Sequence, residues 1–173
     1  VDLLKIQKLL QARKFSEIIF EIETSSSEQN RSPALHNLLG VCRASQKGKS
    51  DRDVKHALND FEAAFNKDNL SEISLESLCN HIKLCVEMAR KDSDLVNNLL
   101  VSEKMFLKAE KKFSENERYL AHGIDLYKYL LKHKERISVI EKILKLGKFN
   151  KVFGSVYITS QMYLDNWSQK NFK

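Results

Sequence analysis

The chain has 173 residues, of which 42% are hydrophobic and 30% charged, with a formal net charge of +6 at neutral pH. That length lets one domain bury its own core without disulfide or metal staples. One proline and five glycines are too few for a sheet protein, whose turns use them every 8 to 12 residues or so, and no window approaches the roughly 18 consecutive apolar residues of a membrane span.

In chain order, Leu3, Ile6 and Leu10 predict a first helix over about 2–12, and Ile18, Ile19 and Ile22 a second over 15–25, so the two read as a hairpin. A polar run over 25–31 ends it. Ser32 and Pro33 then supply an N-cap hydroxyl and a preset φ for a helix over 33–46, with Leu35, Leu38, Leu39 and Cys42 on one face and Lys47-Gly48 as a left-handed stop. The next helix starts near Ser50 or Asp51, carries Val54, Ala57, Leu58, Phe61, Ala64 and Phe65, and ends in the polar run 66–69. A third pair follows, first with Leu75, Leu78, Ile82, Val86 and Ala89, then with Leu95, Leu99, Ser102, Phe106, Ala109 and Phe113. Ser114 and Glu117 read as a capping box before a helix with Leu120, Ile124, Tyr127 and Leu131, whose partner holds Ile137, Ile140 and Leu144 before Gly147. A last helix from about 149 places Phe149, Phe153, Val156, Ser160, Tyr163 and Trp167 on one stripe. The expectation is an all-α fold of about nine helices in antiparallel pairs. Regular pairing favours a solenoid over a closed bundle.

Within 36–64 the residues follow a pattern: His36 at a large position, Leu39-Gly40 three and four residues on, then Ala57-x3-Phe61 and the small Ala64. This resembles the tetratricopeptide repeat. The resemblance implies helix pairs stacked in a right-handed superhelix, with Gly40 and Ala57 touching where the two helices of a repeat meet, and Leu39, Phe61 and Ala64 packing around them. It also implies a concave face that binds a partner polypeptide, lined at this repeat by Asn37, Val41, Ala44 and Ser45. Arg43 stands in place of the family's aromatic, Asn69 near its proline, and the Gly40-to-Ala57 spacing is longer than usual by about five residues, which lengthens the turn around Lys47 to Arg52. Phe15, Ile18 and Ile22 resemble a degenerate first repeat, and Tyr119 with Gly123 a degenerate later one.

A second resemblance is carried by Ser155, Tyr157, Ile158, Ser160 and Tyr163, followed by Asn166, Trp167, Ser168 and Phe172. These are similar to the stretch joining tetratricopeptide repeats to the catalytic part of the O-linked N-acetylglucosamine transferase and SPINDLY-like family. The alternative function it implies is a substrate-recognition segment of a larger glycosyltransferase, with the nucleotide-sugar site beyond Lys173. Where that family's groove asparagine is expected this chain has Leu38, with Asn37 one position early. The organisation expected is helical repeats over 1–147, then a terminal capping helix and lead-in over 148–173.

No Gly-x-Ser-x-Gly, phosphate-cradling glycine loop or His-Glu-x-x-His occurs, so no catalytic residue and no cofactor are assigned. The five histidines, His36, His56, His81, His122 and His133, are spread over several helices and read as packing or surface residues. Cys42, Cys79 and Cys85 are an odd number in apolar helical patterns, which points to buried reduced thiols and a cytoplasmic setting. Cys79 and Cys85 point about 120° apart on a helix, so no metal site is expected. Residues 101–173 hold fifteen Lys or Arg against eight Asp or Glu, while 1–100 hold fourteen against fifteen. The densest basic stretch, Lys128 to Lys151, reads as a solvated lysine-rich face, so protein or peptide is the expected partner and nucleic acid is not. If the terminal stripe is left open, most of all near Trp167, a homodimer through that helix is expected.

Overall fold

The computed structural model describes residues 1–89 and 96–146, together with Met162. Within them the chain forms eight α-helices and one short 3₁₀ turn, Glu28–Asn30, and no strand, which is the all-α class expected from the sequence. The chain divides into two units, Val1–Leu84 and Cys85–Lys173. The expected ninth helix, and with it the boundary at 147/148, lies outside the described residues.

The first unit contains α1 (Leu3–Gln11), α2 (Phe15–Ser25), α3 (Pro33–Ala44), α4 (Asp51–Lys67) and the start of α5 (Glu72–Ala89). Except at α2, whose N-cap Lys14 makes no side-chain cap bond, their starts are set by short polar side chains that accept amide hydrogens the first helical turn leaves unpaired. Asp2 accepts from Leu4 and Lys5 at 3.0 and 3.1 Å, and Ser32 accepts from Leu35 ahead of Pro33. Ser50 and Asp53 close a reciprocal capping box at the head of α4. At the head of α5, Asp68 accepts from the backbone N–H and the hydroxyl of both Ser71 and Ser74; those hydrogen bonds hold its carboxyl down at about 2, against the opposing pull of desolvation.

The second unit contains α6 (Val96–Phe113), α7 (Glu117–Tyr129) and α8 (His133–Leu146). Here the cap of α7 is Asn116, which accepts from Tyr119 N at 3.0 Å, and not the Ser114 of the expected capping box. Asn116 wins because it stands immediately before the first helical residue, where a side-chain oxygen reaches the third amide. Similarly, α3 ends at Ala44, before the expected Lys47-Gly48 stop; Gly48, at φ +68°, turns the loop into α4.

Two connections share one geometry. Between α1 and α2, Arg13 takes φ 53°, with Lys14 N donating to Leu9 O and Arg13 N to Leu10 O, both at 3.0 Å. Between α7 and α8, Leu131 takes φ 57°, with Lys132 N donating to Tyr127 O at 3.0 Å and Leu131 N to Lys128 O at 3.3 Å. Each is a Schellman-type stop built without glycine, so an L side chain bears the left-handed backbone.

One core cluster of the first unit gathers Ile6, Ile18, Ile22, Leu39 and Cys42, with Leu9, Phe15, Ile19, Leu35 and Leu38 against them. Helix α3 packs extensively on α4. A Cβ on Gly40 would stand 2.5 Å from Cε1 of Phe61, so the missing side chain lets the Phe61 ring lie on the α3 backbone. Gly40 thus meets Phe61, one turn on from Ala57 along the same buried face of α4. In the second unit Gly123 on α7 meets the ring of Phe106, on the preceding helix rather than the following one. Phe106 is stacked on Tyr119, with centroids 4.0 Å apart, and the Tyr119 hydroxyl donates to Phe106 O at 2.7 Å.

Gly40→Ala is expected to lower unfolding stability by about 1–3 kcal/mol through overpacking, read from urea melts. Leu131→Gly, at a position 74% exposed, should instead raise it by about 0.5–1 kcal/mol by relieving the left-handed strain. A neutral Gly40→Ala would show that the Phe61 ring moves aside freely.

Candidate functional site

The residues expected to meet a partner all belong to α3 or its C-cap, so the helix's orientation decides what each can do. Ala34 and Ser45 are exposed and Leu38, Val41 and Ala44 half-buried. At intervals of four and three, Ala34, Leu38, Val41 and Ser45 form one stripe, exposed at its ends and half-buried in its middle, where Leu38 also packs against the core. Val41, Ala44 and Ser45 are therefore reachable. Asn37 is not open in the way expected: it is buried, and its Oδ1 accepts from Nδ2 of Asn80 on α5 at 3.2 Å. The covering helix lies more than 30 residues on in sequence, so the local pattern of α3 carries no sign of it.

The charge on α3 goes inward. Arg43 donates through Nη1 to Asp60 on α4 and through Nη2 to Glu23 on α2. Asp60 is buried, and its other oxygen lies 3.5 Å from Nδ1 of the buried His36. Desolvation pushes the Asp60 carboxyl above the ordinary range, while Arg43 and then His36 oppose the rise. On the far side of the ring, Lys67 Nζ lies 3.0 Å from His36 Nε2 and donates to the carbonyls of Glu28, Gln29 and Arg31 at 2.9, 3.2 and 3.3 Å. His36 Nε2 also lies 3.3 Å from Glu28 O, so the ring ties the 3₁₀ turn on one side to Asp60 on the other. The cluster joins α2, α3, α4 and the 3₁₀ turn. It fixes the face that α3 turns outward.

His36 and Arg43 occupy the two positions where the repeat pattern asks for large or aromatic residues, and a polar cluster fills that space. Asp60 was missed in the sequence. Its signal was a carboxylate at the spacing of Ala57 and Ala64, on the apolar face of α4, which requires a buried cation nearby. Leu39, Gly40, Ala57, Phe61 and Ala64 are all buried, with Gly40 and Phe61 drawn together at the α3–α4 contact and Leu39 packed with Ile6, Ile18 and Ile22.

Elsewhere, burial pushes the thiols of Cys42 and Cys85 up to about 11, which leaves both protonated and unreactive at neutral pH. Among the described residues no three His, Cys, Asp or Glu side chains are grouped as metal ligands, and no helix is long and apolar enough to cross a membrane. The residues of the second resemblance, Ser155 to Phe172, and the stripe of Phe149, Phe153, Val156, Tyr163 and Trp167 on which a homodimer was expected, lie outside the described residues. Comparison with models of known families, with curated proteins and with solved structures found no match.

Arg43→Met leaves Asp60 buried beside no guanidinium and is expected to cost about 3–5 kcal/mol in urea unfolding, most of it restored in the double variant Arg43→Met with Asp60→Leu. A separate pH effect comes from His81 on α5, where burial holds the ring down to about 4. The unfolded chain takes that proton near pH 6.5, so the stability is complete above 6.5 and is lost as the pH falls toward 4. The urea midpoint should drop across that window, and less so in His81→Gln; equal slopes in both proteins would exclude His81 as the source.

Proposed function

We propose that the chain is a protein-interaction scaffold, with α3–α4 as a tetratricopeptide-like repeat and the solvent side of α3 as a seat for an extended segment of a partner polypeptide. The observation that carries this reading is the uncharged stripe of α3. In a chain with 30% charged residues, this helix has its ionisable side chains, His36 and Arg43, turned into the cluster around Asp60. The surface left over is small and neutral. Ala34, Ala44 and Ser45 let another backbone come close, and Leu38 and Val41 offer apolar contact.

The Asn37–Asn80 pair supports the same reading. It holds the half-buried Asn80 of α5 beside α3, and an asparagine amide is of the kind that bonds a peptide backbone. In this reading the helix pairs stack in a right-handed superhelix that a ninth helix, from about 149, would cap. Binding requires no catalytic residue and no cofactor.

The test is selection from a displayed random peptide library, followed by chemical-shift mapping. Selected peptides are expected to shift the amides of α3 and α5. Val41→Glu should weaken them at least tenfold, about 1.4 kcal/mol, with the thermal melt unchanged. Peptides that bind Val41→Glu as well as the wild type, or a library that yields none, would remove this assignment.

A further inference from the structure

The second unit carries a surface of the opposite character. On α6, Leu100, Lys104, Leu107, Lys108 and Lys111 fall within about 100° of arc at 3.6 residues per turn. All five are exposed, Leu100 at 41% and Leu107 at 54%. The opposite face of α6 is committed to the core through Leu99, Met105, Phe106, Ala109 and Phe113. No acidic residue interrupts the stripe. The nearest on this helix, Glu103 and Glu110, lie on its flank and are engaged elsewhere. Both Glu103 oxygens accept from Lys132 at 2.7 Å, and Glu110 accepts from Lys142 on α8 at 2.6 Å.

Beside the stripe is a crevice of about 360 Å³ between α6 and α8. Phe106, Tyr119, Tyr127 and Val139 line it in its apolar part, Leu107 stands on its α6 side, and Lys134 and Lys142 on its α8 side. Two carboxylates also border it: Glu110, paired with Lys142, and the exposed Glu135. Apolar depth and a basic approach thus adjoin.

We infer that the α6 stripe and the adjoining crevice form a docking site for an acidic polypeptide segment that carries one large apolar side chain. The lysines at 104, 108 and 111 recur every three or four residues, so they meet acidic side chains spaced along one face of a segment lying on α6. The crevice takes the apolar anchor, with Leu100 and Leu107 extending the apolar contact. The two leucines argue for a polypeptide over nucleic acid, because they offer no face on which a base can stack. An anionic membrane is a poorer match, since interfacial binding needs a broad apolar face and α6 spends its own on the core.

This surface is independent of the α3 stripe, and so is its test. The probes are fluorescein-labelled 15-residue glutamate-rich peptides with a central Trp or Leu, and the same peptide with a central Ala, titrated with the whole 173-residue chain by anisotropy. The Trp or Leu peptide is expected to bind at least tenfold tighter than the Ala peptide. It should lose at least tenfold in the triple variant Lys104→Glu, Lys108→Glu, Lys111→Glu, and in Leu107→Glu, and be unchanged in Val41→Glu. If the charge-reversed triple variant loses its helical spectrum, the triple Lys→Gln variant replaces it, with at least a threefold loss expected. Equal affinity for the Ala peptide, indifference to the lysine variants, or no binding of any probe overturns the inference. So does tighter binding to phosphatidylserine vesicles or to a mixed-sequence duplex.

Discussion

Where Gly40 has no side chain, the ring of Phe61 lies directly on the backbone of α3, and this close approach sets the conditions for everything packed around it. Ala57 and Ala64, about one turn to either side of Phe61, keep the rest of the α4 face low enough for the helices to stay near. Asp60, the residue before Phe61, is carried into the same interface and excluded from water with it. An isolated carboxylate in that position would be prohibitive. Arg43, one turn beyond Gly40, and His36, one turn before it, are placed on α3 to meet that carboxylate. Apolar contact and polar cluster are two parts of one interface.

The direction in which charge is spent then distinguishes the two units. On α3 it is spent inward, and the residue of that choice is a neutral, small-residue surface. On α6 the glutamates are held on the flank by Lys132 and Lys142, and the lysines of the helix remain on the solvent side. The uneven charge of the sequence, near balance over 1–100 and strongly basic over 101–173, is the same fact at lower resolution. A neutral surface favours close backbone contact, while a lysine stripe interleaved with leucine selects for acidic partners and speeds their approach. The second unit repeats the glycine–aromatic contact with the order reversed, Phe106 preceding Gly123, so the contact recurs without the sequence spacing of the repeat pattern.

The helices themselves were legible because apolar periodicity, an N-cap serine and a proline at the first helical position are local signals. The start of α3 at Pro33 and the bounds of α2 at Phe15–Ser25 match the expectation. The stops at Arg13 and Leu131 were less legible, since glycine is the usual sign of a left-handed residue and neither turn has one. Asn116 displaced Ser114 as a cap for an equally local reason, its place directly before the helix. On α3 Ser45 is exposed and Val41 and Ala44 are half-buried, whereas Asn37 is buried and bonded to Asn80 on another helix, a partner that the local pattern of α3 does not carry.

By itself, then, the sequence determined the all-helical class and helix bounds such as those of α2, consequences of a period of about 3.6 residues and of terminal amides that need partners, whereas Leu3, Leu10, Leu131 and Leu144, expected on apolar faces, are exposed. Only the tertiary structure decided that the ring of Phe61 lies on the backbone at Gly40, that Asp60, Arg43 and His36 form one cluster, and that α6 adjoins a crevice with aromatic walls. Each of these depends on which helices meet and at what depth. Periodicity marks the side of a helix that is buried, while the partner and the distance follow from packing between residues far apart in the chain.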